Sequence, residues 1–271
     1  MPINVKHSGA WKEPTKIEIK DGGAWKEVII GSIKSGGVWK QFFARKFTYT
    51  VTDSVNQLDL DSVLSADNKL GDVDVIINAG VYVYSNSTGT PALRTGSGVA
   101  GILTIINNGY IYGAGGNGGA GNRGFANGYA GSAGGTALYL EKDITLDNNG
   151  SILGGGGGGG GGSGGQNWHG GFQQSYSYGS GGGGGGGASY GSGASGGYGA
   201  GSGANAGVSS GGGGGSATAD DGADGGVGGA GGNIGQAGSA GANTNSSGNV
   251  GGSGGSAGTA INNNGNTRTG D

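Results

Sequence analysis

Apolar and polar residues alternate with a period of two through much of the N-terminal half of the chain. Ile17 and Ile19 are interleaved with Glu18 and Lys20, and Phe47-Thr48-Tyr49-Thr50-Val51-Thr52 alternates throughout. Successive side chains of a strand point to opposite faces, so this pattern predicts half-buried β-strands. Helix signals are nearly absent. A repeat is superimposed on the alternation: Ser8-Gly9-Ala10-Trp11-Lys12-Glu13 recurs as Gly22-Gly23-Ala24-Trp25-Lys26-Glu27 and as Gly36-Gly37-Val38-Trp39-Lys40-Gln41, at a period of 14 residues. Asp21-Gly22-Gly23 and Ser35-Gly36-Gly37 supply the positive-φ residues of a tight hairpin turn. Each unit is expected to be strand, glycine turn, strand with a tryptophan. A unit this short cannot bury a tryptophan by itself, so the three must pack on one another or on a partner.

A longer motif follows. Val75-Ile76-Ile77-Asn78-Ala79-Gly80-Val81-Tyr82-Val83 returns as Thr104-Ile105-Ile106-Asn107-Asn108-Gly109-Tyr110-Ile111-Tyr112 and as Thr145-Leu146-Asp147-Asn148-Asn149-Gly150-Ser151-Ile152-Leu153, with a degenerate copy at Ala260-Ile261-Asn262-Asn263-Asn264-Gly265. Each copy predicts strand, Asn-x-Gly turn, strand, as in a hairpin or the corner of a solenoid. The spacing between copies lengthens along the chain, so the extra material is expected to be inserted between related rungs.

Composition changes the picture in the second half. Glycine supplies 77 of 271 residues, but only 13 precede residue 113 and 50 lie between Gly154 and Gly258. Gly154–Gly162, Gly181–Gly187 and Gly211–Gly215 are uninterrupted runs, and Val208, Val227, Ile234 and Val250 are the only large aliphatic residues between Gly154 and Gly258. No conventional core forms from these, while ordering backbone costs about 1–2 kcal/mol per residue, and more for glycine. The region is therefore either a flexible linker or ordered through its backbone. A polyproline-II-type helix has three residues per turn and rises about 3.1 Å per residue. Without Cβ atoms such helices approach closely, and their N–H and C=O groups bond laterally to neighbours.

The segments between runs then turn the chain round at the bundle ends. Gln166, Asn167, Trp168, His169, Phe172, Gln173, Tyr176 and Tyr178 lie between the first two runs, and Tyr190 and Tyr198 follow the second. Aromatic and amide side chains on loops held by a stiff scaffold are a recognition composition, and these ten residues are the expected recognition set. The competing reading is that the aromatics only cover scaffold backbone.

Charge and side-chain chemistry narrow the function. The net charge is −3, with a surplus of five positive charges in residues 1–46, and from Gly154 onward Arg268 is the single basic residue. So uncharged a distal half is a poor nucleic-acid binder. There is no cysteine, no signal-like apolar run, and nothing approaching a spanning helix. The two histidines, His7 and His169, form no plausible triad, and no P-loop lysine follows a glycine run. Asp220-Asp221-Gly222-Ala223-Asp224 lacks the spacing and terminal glutamate of a calcium loop. The expectation is a non-catalytic binding protein without cofactor, metal, nucleic-acid partner or membrane insertion.

Asn148-Asn149-Gly150-Ser151-Ile152-Leu153 leading directly into a glycine run, with further runs separated by short variable loops, resembles the glycine-rich receptor-recognising adhesins of phage tail fibres, best known as separate tip proteins of T-even-like long tail fibres. The resemblance covers about residues 145–260. With the alternation and repeats already described, it points to a mostly β protein with essentially no α-helix: N-terminal β-hairpin repeats (1–46) for attachment, which depart from the Trp-containing docking segments of T-even tips, a β-rich connecting part (47–153), and a distal bundle of packed polyglycine-II helices with variable loops (154–271). It further implies a virion location at the fibre tip after synthesis in the host cytoplasm, and a bacterial outer-surface protein or glycan as receptor. Three tandem Trp hairpins match the end of a trimeric tail fibre protein, with Trp11, Trp25 and Trp39 as docking anchors; alternatively they form their own small core. The runner-up function is a non-adhesive structural glycine-rich protein, such as a fibre component or a polyglycine-type ice-binding protein.

Overall fold

The computed structural model describes residues 5–7, 10–12, 16–170, 175–189, 191–220, 223–244 and 248–270, with backbone alone at 5–7, 10–12, 41, 175–177 and 220. Its N-terminal part is three antiparallel hairpins: β1 (Val5–His7) with β2 (Ala10–Lys12), β3 (Glu18–Asp21) with β4 (Ala24–Glu27), and β5 (Ile30–Ser35) with β6 (Val38–Ala44). Gly22 and Gly23 have φ of 59° and 86°, and Gly36 and Gly37 have 62° and 84°. Positive φ at both central residues is the condition for a type I′ turn, whose twist matches that of the flanking strands. The register sets a lysine opposite each tryptophan: Lys6 with Trp11, Lys20 with Trp25, Lys34 with Trp39. Trp25 is 66% exposed and Trp39 68%, so neither is buried by the hairpins themselves. The side chain of Trp11 lies outside the described residues.

The middle of the chain is a three-sided parallel coil. Its first turn contributes β7 (Lys46–Val51), β8 (Val55–Asn56) and β9 (Leu58–Asp59), followed by the single-turn helices α1 (Leu60–Val63) and α2 (Ala66–Lys69). The second contributes β10 (Asp72–Ile77), β11 (Tyr82–Tyr84) and β12 (Leu93–Arg94); the third β13 (Leu103–Asn107), β14 (Tyr110–Tyr112) and β15 (Leu138–Tyr139). The fourth opens with β16 (Ile144–Asn148) and β17 (Ser151–Leu153). The chain then leaves for the glycine region, which holds β18 (Gly165–His169), β19 (Ser175–Gly179), β20 (Ala219–Asp220) and β21 (Ala223–Asp224), and returns as β22 (Ile261–Asn262) and β23 (Arg268–Thr269). Every turn adds one strand to each of three parallel sheets, ordered β7-β10-β13-β16-β23, β8-β11-β14-β17 and β9-β12-β15-β22.

The two-residue alternation explains the core. In β10, Val73, Val75 and Ile77 face inward while Asp72, Asp74 and Ile76 face out. Parallel register stacks like on like: Tyr49, Val75, Ile105 and Leu146 in the first sheet, Val55, Val83, Ile111 and Ile152 in the second, and Leu58, Leu93, Leu138 and Ile261 in the third. Burying each such aliphatic side chain is worth roughly 1.5–3 kcal/mol. Three of the Asn-x-Gly motifs are corners between the first and second sheets, not hairpins. Asn107 Nδ2 donates to Asn148 Oδ1 at 2.7 Å, one turn further along the coil, and Gly109 N donates to Asn107 Oδ1 at 3.2 Å. The fourth, degenerate copy sits elsewhere: Ile261 and Asn262 belong to the third sheet, and Asn264 and Gly265 turn the chain from there towards the first.

The corner between the second and third sheets is where the chain expands. It is Gln57 alone in the first turn, residues 85–92 in the second, 113–137 in the third and 154–260 in the fourth. The last two insertions form one body, so residues 113–137 lie with the glycine runs and residues 261–270 lie with the coil. Within that body the hydrogen bonds repeat every three residues. Gly155, Gly158 and Gly161 donate to Gly135, Ser132 and Tyr129; Gly156, Gly159 and Gly162 donate to Ala188, Gly185 and Gly182; Gly157, Gly160 and Ser163 donate to Gln236, Ser239 and Ala242, all at 2.8–3.3 Å. The same run accepts from Gly116, Gly119 and Asn122, from Gly226, Gly229 and Gly232, and from Gly252, Gly255 and Gly258. Residues 154–163 are thus surrounded by six neighbouring segments, three accepting from the run's N–H groups and three donating to its carbonyls. A Cβ added at Gly157 would run into Gly255 O, and one at Gly184 into Gly159 O.

Candidate functional site

The bundle has two unlike ends. The near end is joined to the coil: Gly113 N donates to Leu153 O, Gly115 N to Ser189 O, and Gly235 N to Gly154 O. At the far end, turns from separate parts of the chain meet. Arg123 bridges Ser180, and Ser180 bridges Thr218. Gly124 N donates to Gly179 O at 3.3 Å and Gly164 N to Ala126 O at 2.9 Å, pinning residues 123–126 to the base of the hairpin formed by β18 and β19. Asn249 Nδ2 donates to both Gly124 O and Gly164 O at 2.8 Å, drawing in the last turn of the bundle.

The hairpin pairs Gln166 with Tyr178, Asn167 with Ser177, Trp168 with Tyr176 and His169 with Ser175. Period two therefore puts Gln166, Trp168 and Tyr178 on one face and Asn167 and His169 on the other. Trp168 is 54% exposed and Tyr198 81%, and Tyr178 is exposed as well. Gln166 is only 5% exposed, since it sits at the base of the hairpin where β18 leaves the bundle next to the buried Gly165. Tyr176 is described in its backbone alone, and Phe172, Gln173 and Tyr190 lie outside the described residues. Ser189, next to Tyr190 in sequence, is at the near end, away from the other loops.

Three exposed side chains join this surface that the sequence reading does not select: Arg123, Phe125 and Tyr129, all from the insertion in the third turn. The Arg123 guanidinium lies over the Tyr178 ring at 5.3 Å from its centroid and over the Tyr198 ring at 5.1 Å. The signal that could have found them is a three-residue period. Gly115-Gly116-Asn117-Gly118-Gly119-Ala120 carries a larger residue at each third position, as do Gly228-Gly229-Ala230 and Gly251-Gly252-Ser253. That is the pattern of a segment on the bundle's outside, one face in three free of neighbours.

A groove of about 680 Å³ runs along the coil between the third and first sheets, lined by Ser97, Val99, Lys142, Asp143, Thr267 and Thr269 among others. Its polar groups tie the coil together. Lys142 Nζ donates to Val99 O at 2.8 Å and Gly101 O at 2.6 Å, and burial holds its pKa below the ordinary lysine value. Thr267 N donates to Asp143 Oδ1 at 2.6 Å. Among the described residues, no helix is long and apolar enough to cross a membrane.

No curated protein sequence matches the chain. A solved structure, the crystal structure of the gp37-gp38 adhesin tip complex of the bacteriophage S16 long tail fiber, is similar at 23% identity with a TM-score of 0.49, over 84% of this chain and 79% of that one. The family model for phage tail fibre adhesin Gp38 matches residues 46–270, which takes in the whole coil and the whole glycine bundle. The chain therefore belongs to the Gp38 family of phage tail fibre adhesins.

Proposed function

We propose that the far end of the glycine bundle is the surface with which this adhesin grips a bacterial receptor. The observation that carries the reading is the meeting there of residues 122–128, 164–170, 175–180, 196–200, 216–220, 223–225, 243–244 and 248–250, with Trp168, Tyr178, Tyr198 and Phe125 exposed among them. Aromatic side chains supply large contact area at low entropic cost. The bundle is read as polyglycine-II, supported by its three-residue hydrogen-bond period. Backbone bonded on all sides gives the loops a rigid base. Trp168, Asn167, His169, Tyr178 and Tyr198 are the proposed contacts, together with Phe172, Gln173 and Tyr176; Gln166, buried at the base of the hairpin, is not one of them. The protein binds without catalysis and sits at the fibre tip.

The hairpins of residues 1–46 are proposed to dock on a trimeric fibre protein, one for each of its three chains. The exposure of Trp25 and Trp39 supports docking over a private core, since large apolar side chains left open at the centre of a hairpin fit an interface.

The test is adsorption of particles to sensitive cells. Trp168→Ala is expected to slow adsorption about tenfold or more, and exchange of residues 165–179 between related tips to move host range. Normal adsorption by a folded Trp168→Ala tip, with host range unmoved by the exchange, would put recognition elsewhere.

A further inference from the structure

Resting on the reading that the far end contacts the receptor, we propose that Arg123 recognises a carboxylate there, from an Asp or Glu side chain on an exposed loop of a receptor protein. Arg123 is the single cation in residues 113–137 and 154–260, and its side chain is exposed. Among the described residues it makes no ion pair and no side-chain hydrogen bond. What holds it is aromatic. Tyr178 comes from the hairpin and Tyr198 from a separate turn, and the ring faces attract the cation through their quadrupoles. The backbone beneath is fixed by the bridge to Ser180 and by the Gly124 bond to Gly179. A Cβ at Gly124 would approach the Tyr178 ring at 3.0 Å, so the turn fits closely under that ring.

A guanidinium stabilised by ring faces keeps its N–H donors for an oxygen ligand, and its planar fork matches the two oxygens of a carboxylate. Charge distinguishes the source. The bundle sequence also carries Asp220, Asp221 and Asp224, and β21, with Ala223 and Asp224, lies against the base of the hairpin at Gly179. With one cation against three acids in its sequence, the bundle repels a phosphate-dense surface, which is bound by clusters of Arg or Lys. A lone carboxylate in apolar surroundings suits the site better. With Trp168 and Phe125 exposed on the same end, the surface has the Trp, Tyr and Arg composition of protein–protein hot spots.

The experiment uses the full chain, fluorescently labelled, and intact sensitive Gram-negative cells as the probe. Wild type, Arg123→Gln and Arg123→Lys are titrated onto untreated cells, onto cells whose surface carboxylates have been amidated with carbodiimide and glycinamide, and onto protease-shaved cells. Both substitutions should weaken binding to untreated cells about tenfold or more, Lys included because it lacks the fork. Amidation should bring wild type down to the level of Arg123→Gln and lower that variant little further, while shaving should remove the binding of both. Tyr198→Ala, at an 81% exposed side chain, should lose part of the binding with its thermal melt unchanged, which keeps the test sound if an Arg123 variant misfolds. Equal binding by wild type and a folded Arg123→Gln overturns the proposal, and leaves the far-end reading standing if Trp168→Ala still binds poorly. A loss in Arg123→Gln that persists on amidated or shaved cells, or competition by purified phosphorylated lipopolysaccharide, overturns the assignment to a protein carboxylate. Failure of wild type to bind any cells removes the far-end reading along with it.

Discussion

In the coil, Tyr49, Val75, Ile105 and Leu146 meet as side chains across successive turns, and the backbone bonds run along with them. In the bundle, Gly157 meets Gln236 and Gly232 as backbone alone, and no side chain stands between the segments. The first kind of order comes from removing apolar surface from water, so it tolerates a different side chain of similar volume. The second comes from close backbone approach, which any side chain prevents. One chain thus holds a core with many permitted sequences and a core with almost one.

The sharpest way to break the comparison is to change the bulk of one buried side chain in each region. Gly157→Val or Gly184→Val should unseat the bundle, because the new Cβ meets a carbonyl oxygen that is itself hydrogen-bonded. The loss should exceed about 4 kcal/mol and show as rapid proteolysis of residues 113–137 and 154–260 while the coil survives. Melting and proteolysis identical to wild type would mean that the bundle is not packed as described. Cutting back the coil comes next. Ile105→Ala should cost about 2–5 kcal/mol, lowering the coil's unfolding midpoint without changing bundle proteolysis at low temperature. The smallest effect sharpens the contrast within one run. A Cβ added at Gly213 would have nothing within 4 Å, whereas one at Gly214 would meet Gly228 O. Gly213→Ala should therefore stay within about 0.5 kcal/mol of wild type, and Gly214→Ala should not; equal melting shifts would count against the packing.

Much of the hairpins and of the coil is legible in the sequence, for local reasons. The Gly-Gly turns demand positive φ wherever they occur, and the alternation in β7 and β10 follows from the pleat. The choice between hairpin and solenoid corner is not legible, because Asn-x-Gly serves both and only the partner strand decides. The copy at Ile261-Asn262 resembles the others in composition, yet pairs with Leu138 and Tyr139 in a different sheet. At the tip, composition favours residues clustered in sequence, such as Trp168 and Tyr178. Arg123 escapes such a reading because its aromatic neighbours are distant in the chain, and lateral bonding of Gly121 and Asn122 to other segments is what brings it to them.

The single exit corner makes length a free variable for the tip. Ala137 N donates to Thr259 O and Leu138 N to Ala260 O, so the two long excursions rejoin the coil side by side, whatever lies beyond. To the coil, an excursion is only a loop to be closed, and doubling its length adds about 0.6 kcal/mol. Whole hairpins of bundle can then be gained or deleted in pairs of antiparallel segments without disturbing a single buried residue of the coil. The molecule is in effect a mount with a standard fitting, and its range of targets is limited by how many glycine segments will pack side by side.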